Sequence, residues 1–203
     1  MEAQDAIKEA FRGLVVQVPF AKITISGICG AANVSRRTFY RYFESKDDII
    51  AALIQDDFVR PVETIAGLLP LDEIKSATRL MMERLHRTFF DNMEYYERLV
   101  SSIGTQGFID AFVKEEGELN RQMYLEKGLS EIEAQFASDI LCAAQAASLV
   151  WWLGHRELDY RQMADMNLKW IHVRLGESTG TNTWGGGGGG NEGAGLLREL
   201  PAR

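Results

Sequence analysis

Along the first third of the chain, apolar side chains return at helical rather than strand spacing. Ile7, Phe11, Leu14, Val15 and Val18 fall at i, i+4, i+7, i+8 and i+11, which predicts an amphipathic helix over 3–18 closed by Pro19. Thr24 suits the N-cap of a second helix through Ala32, with Ile25 and Ile28 inward and Gly27 where a capping box wants Glu. Asn33 follows directly, and asparagine tolerates the left-handed backbone of a tight turn better than most side chains. Val34 can plug the corner, Ser35 can cap a third, short helix, and Ser45 with Asp48 can cap a fourth. The fourth helix carries Ile49, Ile50, Leu53, Ile54 and Phe58 and is expected to stop at Pro61.

Beyond Pro70 the helical period continues. Ile74, Leu80, Met81, Leu85, Phe89 and Phe90 lead to a break near Asn92; Tyr95, Tyr96, Leu99, Val100 and Ile103 lead to Gly104. Phe108, Phe112, Leu119, Met123 and Tyr124 mark a helix ending at Gly128. Ser130 and Glu133 form a capping box for an Ala-rich helix that runs to Trp151 and Trp152. Met163, Met166, Trp170 and Val173 predict a last helix before Gly176. No segment alternates as a strand would, so the expected class is all-α. From Thr179 the composition changes to glycine, with six in a row from Gly185 to Gly190. Such a run cannot offset its ordering entropy, and a flexible tail is expected over 177–203.

Charge sharpens this picture locally. The chain of 203 residues carries a net charge of −7, which argues against a uniformly basic nucleic-acid coat. Within 20–46, however, basic residues outnumber acidic ones five to one, so a basic surface is concentrated around the third helix. Cys29 and Cys142 form no CxxC pair and no disulfide framework, which suits a reducing cytoplasm. Neither a leader segment nor a membrane anchor is expected. His86, His155 and His172 lack metal-ligand spacing, and Ser, His and Asp occur without a nucleophile elbow. Neither metal, cofactor nor enzymatic activity is expected.

On the third helix Phe39 and Phe43 are i, i+4 neighbours, expected to pack on Ile28 and Ala32 and to leave Arg36, Arg37, Tyr40 and Arg41 outward. An arginine fork can donate two hydrogen bonds to guanine, whereas hydroxyls and a lysine suit phosphate oxygens. The segment Thr24–Lys46 resembles the helix-turn-helix signature of TetR/AcrR-type transcriptional regulators, in the pattern Thr-Ile-x-x-Ile-x-x-Ala-Ala-Asn-Val-Ser-x-x-Thr-Phe-Tyr-x-Tyr-Phe-x-x-Lys. It departs from that pattern at Asn33, where glycine is usual, and at Gly27, where an acidic residue is common. The residues Phe89–Asn92, Tyr96, Gly107–Phe108 and Leu149–Leu153 resemble the C-terminal domain of the DhaS-like branch.

The resemblance implies an all-α fold with a helix-turn-helix head over 1–46 and a helical dimerisation and ligand-binding domain over 47–176. It implies base contacts from Arg36, Arg37, Thr38 and Arg41, and phosphate contacts from Ser35, Tyr40, Tyr42 and Lys46. Met82, His86, Phe89, Tyr96, Phe108, Phe112, Met123 and Trp151 are either plain core or the lining of a small-molecule pocket. Small residues from Ala143 to Ser148, with Trp170 and Ile171, can fill an intrachain core or pack two subunits in a four-helix interface. The implied function is a homodimeric repressor on a palindromic DNA operator, released by a small-molecule effector. The alternative is a co-activator working through a protein partner.

Overall fold

The computed structural model describes residues 2–68 and 71–172, with side chains described outside 66–68, 71–76 and 172. Among the described residues every regular element is helical. The head consists of α1 (Ala3–Gln17), a 3₁₀ turn (Phe20–Lys22), α2 (Ile25–Ala32) and α3 (Arg36–Tyr42), and α4 (Lys46–Ile54) leads from it into the body. A π turn (Gln55–Val59) carries α4 into α5 (Arg60–Leu68). The body adds α6 (Leu71–Asp91), α7 (Met93–Glu126), α8 (Glu131–Trp152) and α9 (Tyr160–Asn167), which ends in a second π turn (Leu168–His172).

Local chemistry sets the boundaries of the head. Thr24 Oγ1 accepts from the Gly27 amide at 3.1 Å and starts α2. Asn33, at φ 52° and ψ 45°, stops it. The reversal lets the Val34 amide reach the Cys29 carbonyl at 3.0 Å, satisfying a group the helix end would orphan. Ser45 and Asp48 close a reciprocal capping box at the start of α4. Ser130 and Glu133 do the same for α8. Gly104, at φ 80° and ψ 157°, kinks α7, and Gly128, at φ 87°, follows its end. Asn92 separates α6 from α7.

One apolar core runs from the head into the body, from Ile7, Phe11, Ile28, Phe39 and Phe43 through Phe58 to Phe89, Tyr96, Phe108, Phe112 and Trp152. One expectation about the outer elements needs correction. The fourth helix does not stop at Pro61. The π turn before it has the Arg60 amide donating to the Gln55 carbonyl five residues back, and this wider winding carries the helix past a residue that has no amide proton to give. On α9, Met163 is buried, but Met166 and Trp170 are 38% and 55% exposed; Ala164 and Asn167 complete the buried face. On α6, Leu80 and Phe90 likewise turn outward. Val173, Gly176, the tail over 177–203 and the side chain of Ile74 lie outside the described residues.

Candidate nucleic-acid interface and the interior behind it

Helix α3 has seven residues and two faces. Phe39 is fully buried and Phe43, at the C-cap, is 4% exposed; their rings lie 6.0 Å apart. At about 100° per residue, Arg37 and Arg41 share the face opposite Phe39, with Arg36 and Tyr40 on one flank and Thr38 and Tyr42 on the other. All three arginines are exposed. Arg36 donates weakly to the Tyr40 hydroxyl at 3.4 Å, a contact that raises its pKa further above an already permanent charge. Arg41 lies 4.8 Å over the Tyr42 ring and donates to its hydroxyl at 2.7 Å. Each of these two arginines is thus paired with a tyrosine of its own helix at the surface.

The structure brings Arg36, Arg37, Thr38, Tyr40, Arg41 and Tyr42 onto one short helix, but two expected phosphate contacts have internal duties. Ser35 Oγ accepts from the Thr38 amide at 3.0 Å and pairs with Thr38 Oγ1 at 2.8 Å. Lys46 Nζ donates to the Phe20 carbonyl at 2.8 Å and sits 3.9 Å from the centroid of the Phe20 ring. It therefore ties the start of α4 to the 3₁₀ turn. Spacing along the chain could not reveal this, because the partner lies 26 residues upstream.

Behind the head, Phe58 connects to the body through rings at 5.5 Å (Tyr96) and 5.2 Å (Phe112). Phe89 stacks on Tyr96 at 4.7 Å and on Trp152 at 5.7 Å. Met82, His86, Phe89, Tyr96, Phe108 and Phe112 are all buried in this interior. His86 Nδ1 bonds the Met82 carbonyl at 2.7 Å, and Nε2 meets the Asn167 amide nitrogen at 2.9 Å. Two expected members fall elsewhere. Trp151 is 46% exposed and stacks on His155; the next residue, Trp152, fills the interior, because one step along a helix turns the side chain by about 100°. Met123 is half-buried and is not packed on this cluster. An open cleft of about 230 Å³ lies instead between the end of α1 and α7, lined by Val18, Pro19, Arg98, Ser101 and Ser102 among others.

Two polar groupings were not foreseen. In the first, Asp57 accepts both Arg12 Nη2 at 2.7 Å and the Tyr96 hydroxyl. Asp56 accepts Lys8, and Gln55 Nε2 donates to the Glu115 carbonyl at 3.0 Å. Burial opposes the charge of Arg12, but Tyr96 and Asp57 more than offset this and raise its pKa. Burial, then the Asp57 charge, pushes the Tyr96 hydroxyl well up. In the second, Glu116 of α7 is 5% exposed, with Oε2 unpartnered among the described residues. Burial pushes its carboxyl up to about 8, against a hydrogen bond with Cys142. Burial and the Glu116 charge push the Cys142 thiol up to about 12. A sequence signal existed only for the first: Lys8 and Arg12 are i, i+4 on α1, and Asp56 and Asp57 are adjacent.

Comparisons place the head among known proteins. The model of bacterial regulatory proteins, tetR family, matches residues 7–53. The HTH-type dhaKLM operon transcriptional activator DhaS of Lactococcus lactis subsp. lactis (strain IL1403) is 31% identical over 55 residues, spanning 27% of this chain and 29% of that protein. The solved structure of the dihydroxyacetone kinase operon activator DhaS superposes with a TM-score of 0.58 at 18% identity, over 85% of this chain and 96% of that one. This likeness shows a shared fold. Among the described residues no helix is long and apolar enough to cross a membrane.

Proposed function

We propose that this chain is a regulatory protein of the tetR family, as the match over residues 7–53 supports, and that it regulates transcription as a homodimer. Each dimer sets two copies of α3 in successive major grooves of a palindromic operator, with half-site centres about 34–36 Å apart or a multiple of that. One observation carries the reading: a capped short helix buries Phe39 and Phe43 and turns Arg36, Arg37 and Arg41 outward beside Tyr40 and Tyr42. Arg37 and Arg41, with Arg36 and Thr38 on the flanks, read base edges. Ser35, Tyr40 and Tyr42 hold phosphates, with Lys46 in a divided role. The head is taken as 1–46 and the dimerising body as 47–176.

The apolar face left on the body supports the dimer. Ile132, Phe136 and Ile140 descend α8 at i, i+4 and i+8 and are 81%, 69% and 44% exposed. Ala147 and Trp151 lie on the same side, and Met166 and Trp170 extend the apolar surface. A second copy of the same face covers them by two-fold symmetry. Ile171 has a different role, since it packs inside the chain on Tyr124, Ala134 and Leu141.

Repression released by a small effector requires an effector that prefers one arrangement of the two heads. The close ring packing around Tyr96 favours a second reading, co-activation through a protein partner. Selection of duplexes from a random pool, followed by gel retardation with the purified chain alone, tests both. A palindromic site supports the first reading, with Arg37→Ala and Arg41→Ala each losing about 1–3 kcal/mol of base discrimination. Absence of any retardation at low salt supports the second.

A further inference from the structure

Three successive residues of the π turn each hold a different part of the molecule. Gln55 donates to Glu115 on the rear half of α7, at both its carbonyl and Oε2 at 3.0 Å. Asp56 takes Lys8 of α1 and Arg60 at 2.8 Å. Asp57 takes Arg12 of α1 through both carboxylate oxygens, and Tyr96 of α7 through one of them. Asp57 is therefore bonded at once to the head and to the aromatic interior. The wider π winding fits one extra residue into the turn, and such turns are frequent at functional sites. The Arg12 and Asp57 side chains are only 14% and 10% exposed, so solvent does little to weaken their bond.

The same joint contains a second set of possible bonds. Arg12 Nη1 and the Tyr95 hydroxyl are buried and lack a hydrogen-bond partner among the described residues. Arg12 lies 4.8 Å over the Tyr95 ring, and the Tyr95 and Tyr96 rings are 4.9 Å apart. An unpartnered nitrogen on the arginine that holds Asp57, with a second unpartnered donor on the ring it covers, leaves the joint bonds it can exchange into.

We infer that Asp57 is a switchable joint: the hydroxyl of Tyr96, packed among the interior rings, fixes through Asp57 and Arg12 the angle at which α1 and the reading helix stand on the body. The inference rests on the DNA-reading role proposed for α3 and adds the route by which the interior governs it. A rearrangement of Phe58, Phe89 or Phe108 displaces Tyr96, frees one side of Asp57 and turns the head.

Tyr96→Phe removes the hydroxyl and keeps the ring; Asp57→Asn removes the charge. Spin labels at Glu44→Cys in the head and Lys114→Cys in the body, both exposed, report the head-to-body distance by electron–electron resonance. Labelled chain is diluted in unlabelled chain so that one protomer is read. Each variant should move or broaden the distance distribution by about 2 Å or more at unchanged helix content. Affinity for the selected duplex should fall about fivefold or more. Arg37→Ala should lose affinity with the distance unmoved. Distances in Tyr96→Phe and Asp57→Asn that superimpose on those of the unmodified chain overturn the joint, as does a moved distance with unchanged affinity. If the unmodified chain binds no duplex, the DNA reading fails by itself, and the distances alone judge the joint.

Discussion

Replacing Glu116 with glutamine should flatten the dependence of stability on pH. The folded carboxyl titrates at about 8 because it is buried, whereas in the unfolded chain it returns to 4.5. Between these values the folded chain holds a proton that the unfolded chain has released. Its contribution to stability is thus complete below about pH 4.5 and declines as pH rises toward 8, by about 1.4 kcal/mol per pH unit. At pH 7 the accumulated cost is about 3 kcal/mol. Glutamine keeps the shape and has no proton to lose. Urea unfolding followed by circular dichroism, at fixed protein concentration from pH 5 to 7.5, yields the difference between the two proteins at each pH. That difference should grow steadily in favour of Glu116→Gln. The nearby Cys142 thiol, pushed up to about 12, is silent over this range. Two parallel stability curves would refute the reasoning, because they would mean that the folded carboxyl is already ionised and its charge accommodated.

Further outcomes follow from the geometry. Trp152→Ala should cost about 3–5 kcal/mol in the same unfolding assay, and Trp151→Ala far less, since only Trp152 is enclosed. Asn33→Val should destabilise by about 1–2 kcal/mol, because a β-branched side chain is strained at φ 52°; Asn33→Gly should leave stability close to that of the natural chain. Phe136→Lys should shift sedimentation toward the monomer without changing helix content, because it puts charge at the centre of the proposed two-fold face. Lys46→Met should lower thermal stability even without DNA, through loss of the Phe20 carbonyl bond; a phosphate contact alone would leave the free protein unchanged.

The local grammar of the head could be read directly from the sequence. Thr24, Ser35 and Ser45 cap, Asn33 turns left-handed and Phe39 and Phe43 face inward, because each depends on neighbours within about four residues. Gly104 and the capping box at Ser130 belong to the same class. What escaped depends on distant partners or on helix phase. Lys114-Glu115-Glu116 reads as a solvated charge run until α8 covers Glu116. Lys46 reads as a free cation until the Phe20 carbonyl returns to it. Trp151 and Trp152 differ by one step of rotation, which periodicity over a small-residue helix cannot assign. Pro61 reads as a stop because a winding of five residues per hydrogen bond leaves no composition signal.

The π turn at Gln55–Val59 also makes the connection between head and body a matter of residue count. A π turn holds one residue more than the α-helical turn it replaces. Removing one of its five residues would therefore close an ordinary α turn and leave α4 and α5 nearly in phase, but it would take away or displace an anchor, because Gln55, Asp56 and Asp57 each hold a different element. Arg37 and Arg41 would keep their phase on the helix, while α1 would lose bonds from Lys8 or Arg12 that now seat it on the turn. The surplus residue is thus what fits three anchors into one turn, and a single-codon deletion there would leave a smoother helix with a looser seat for the head.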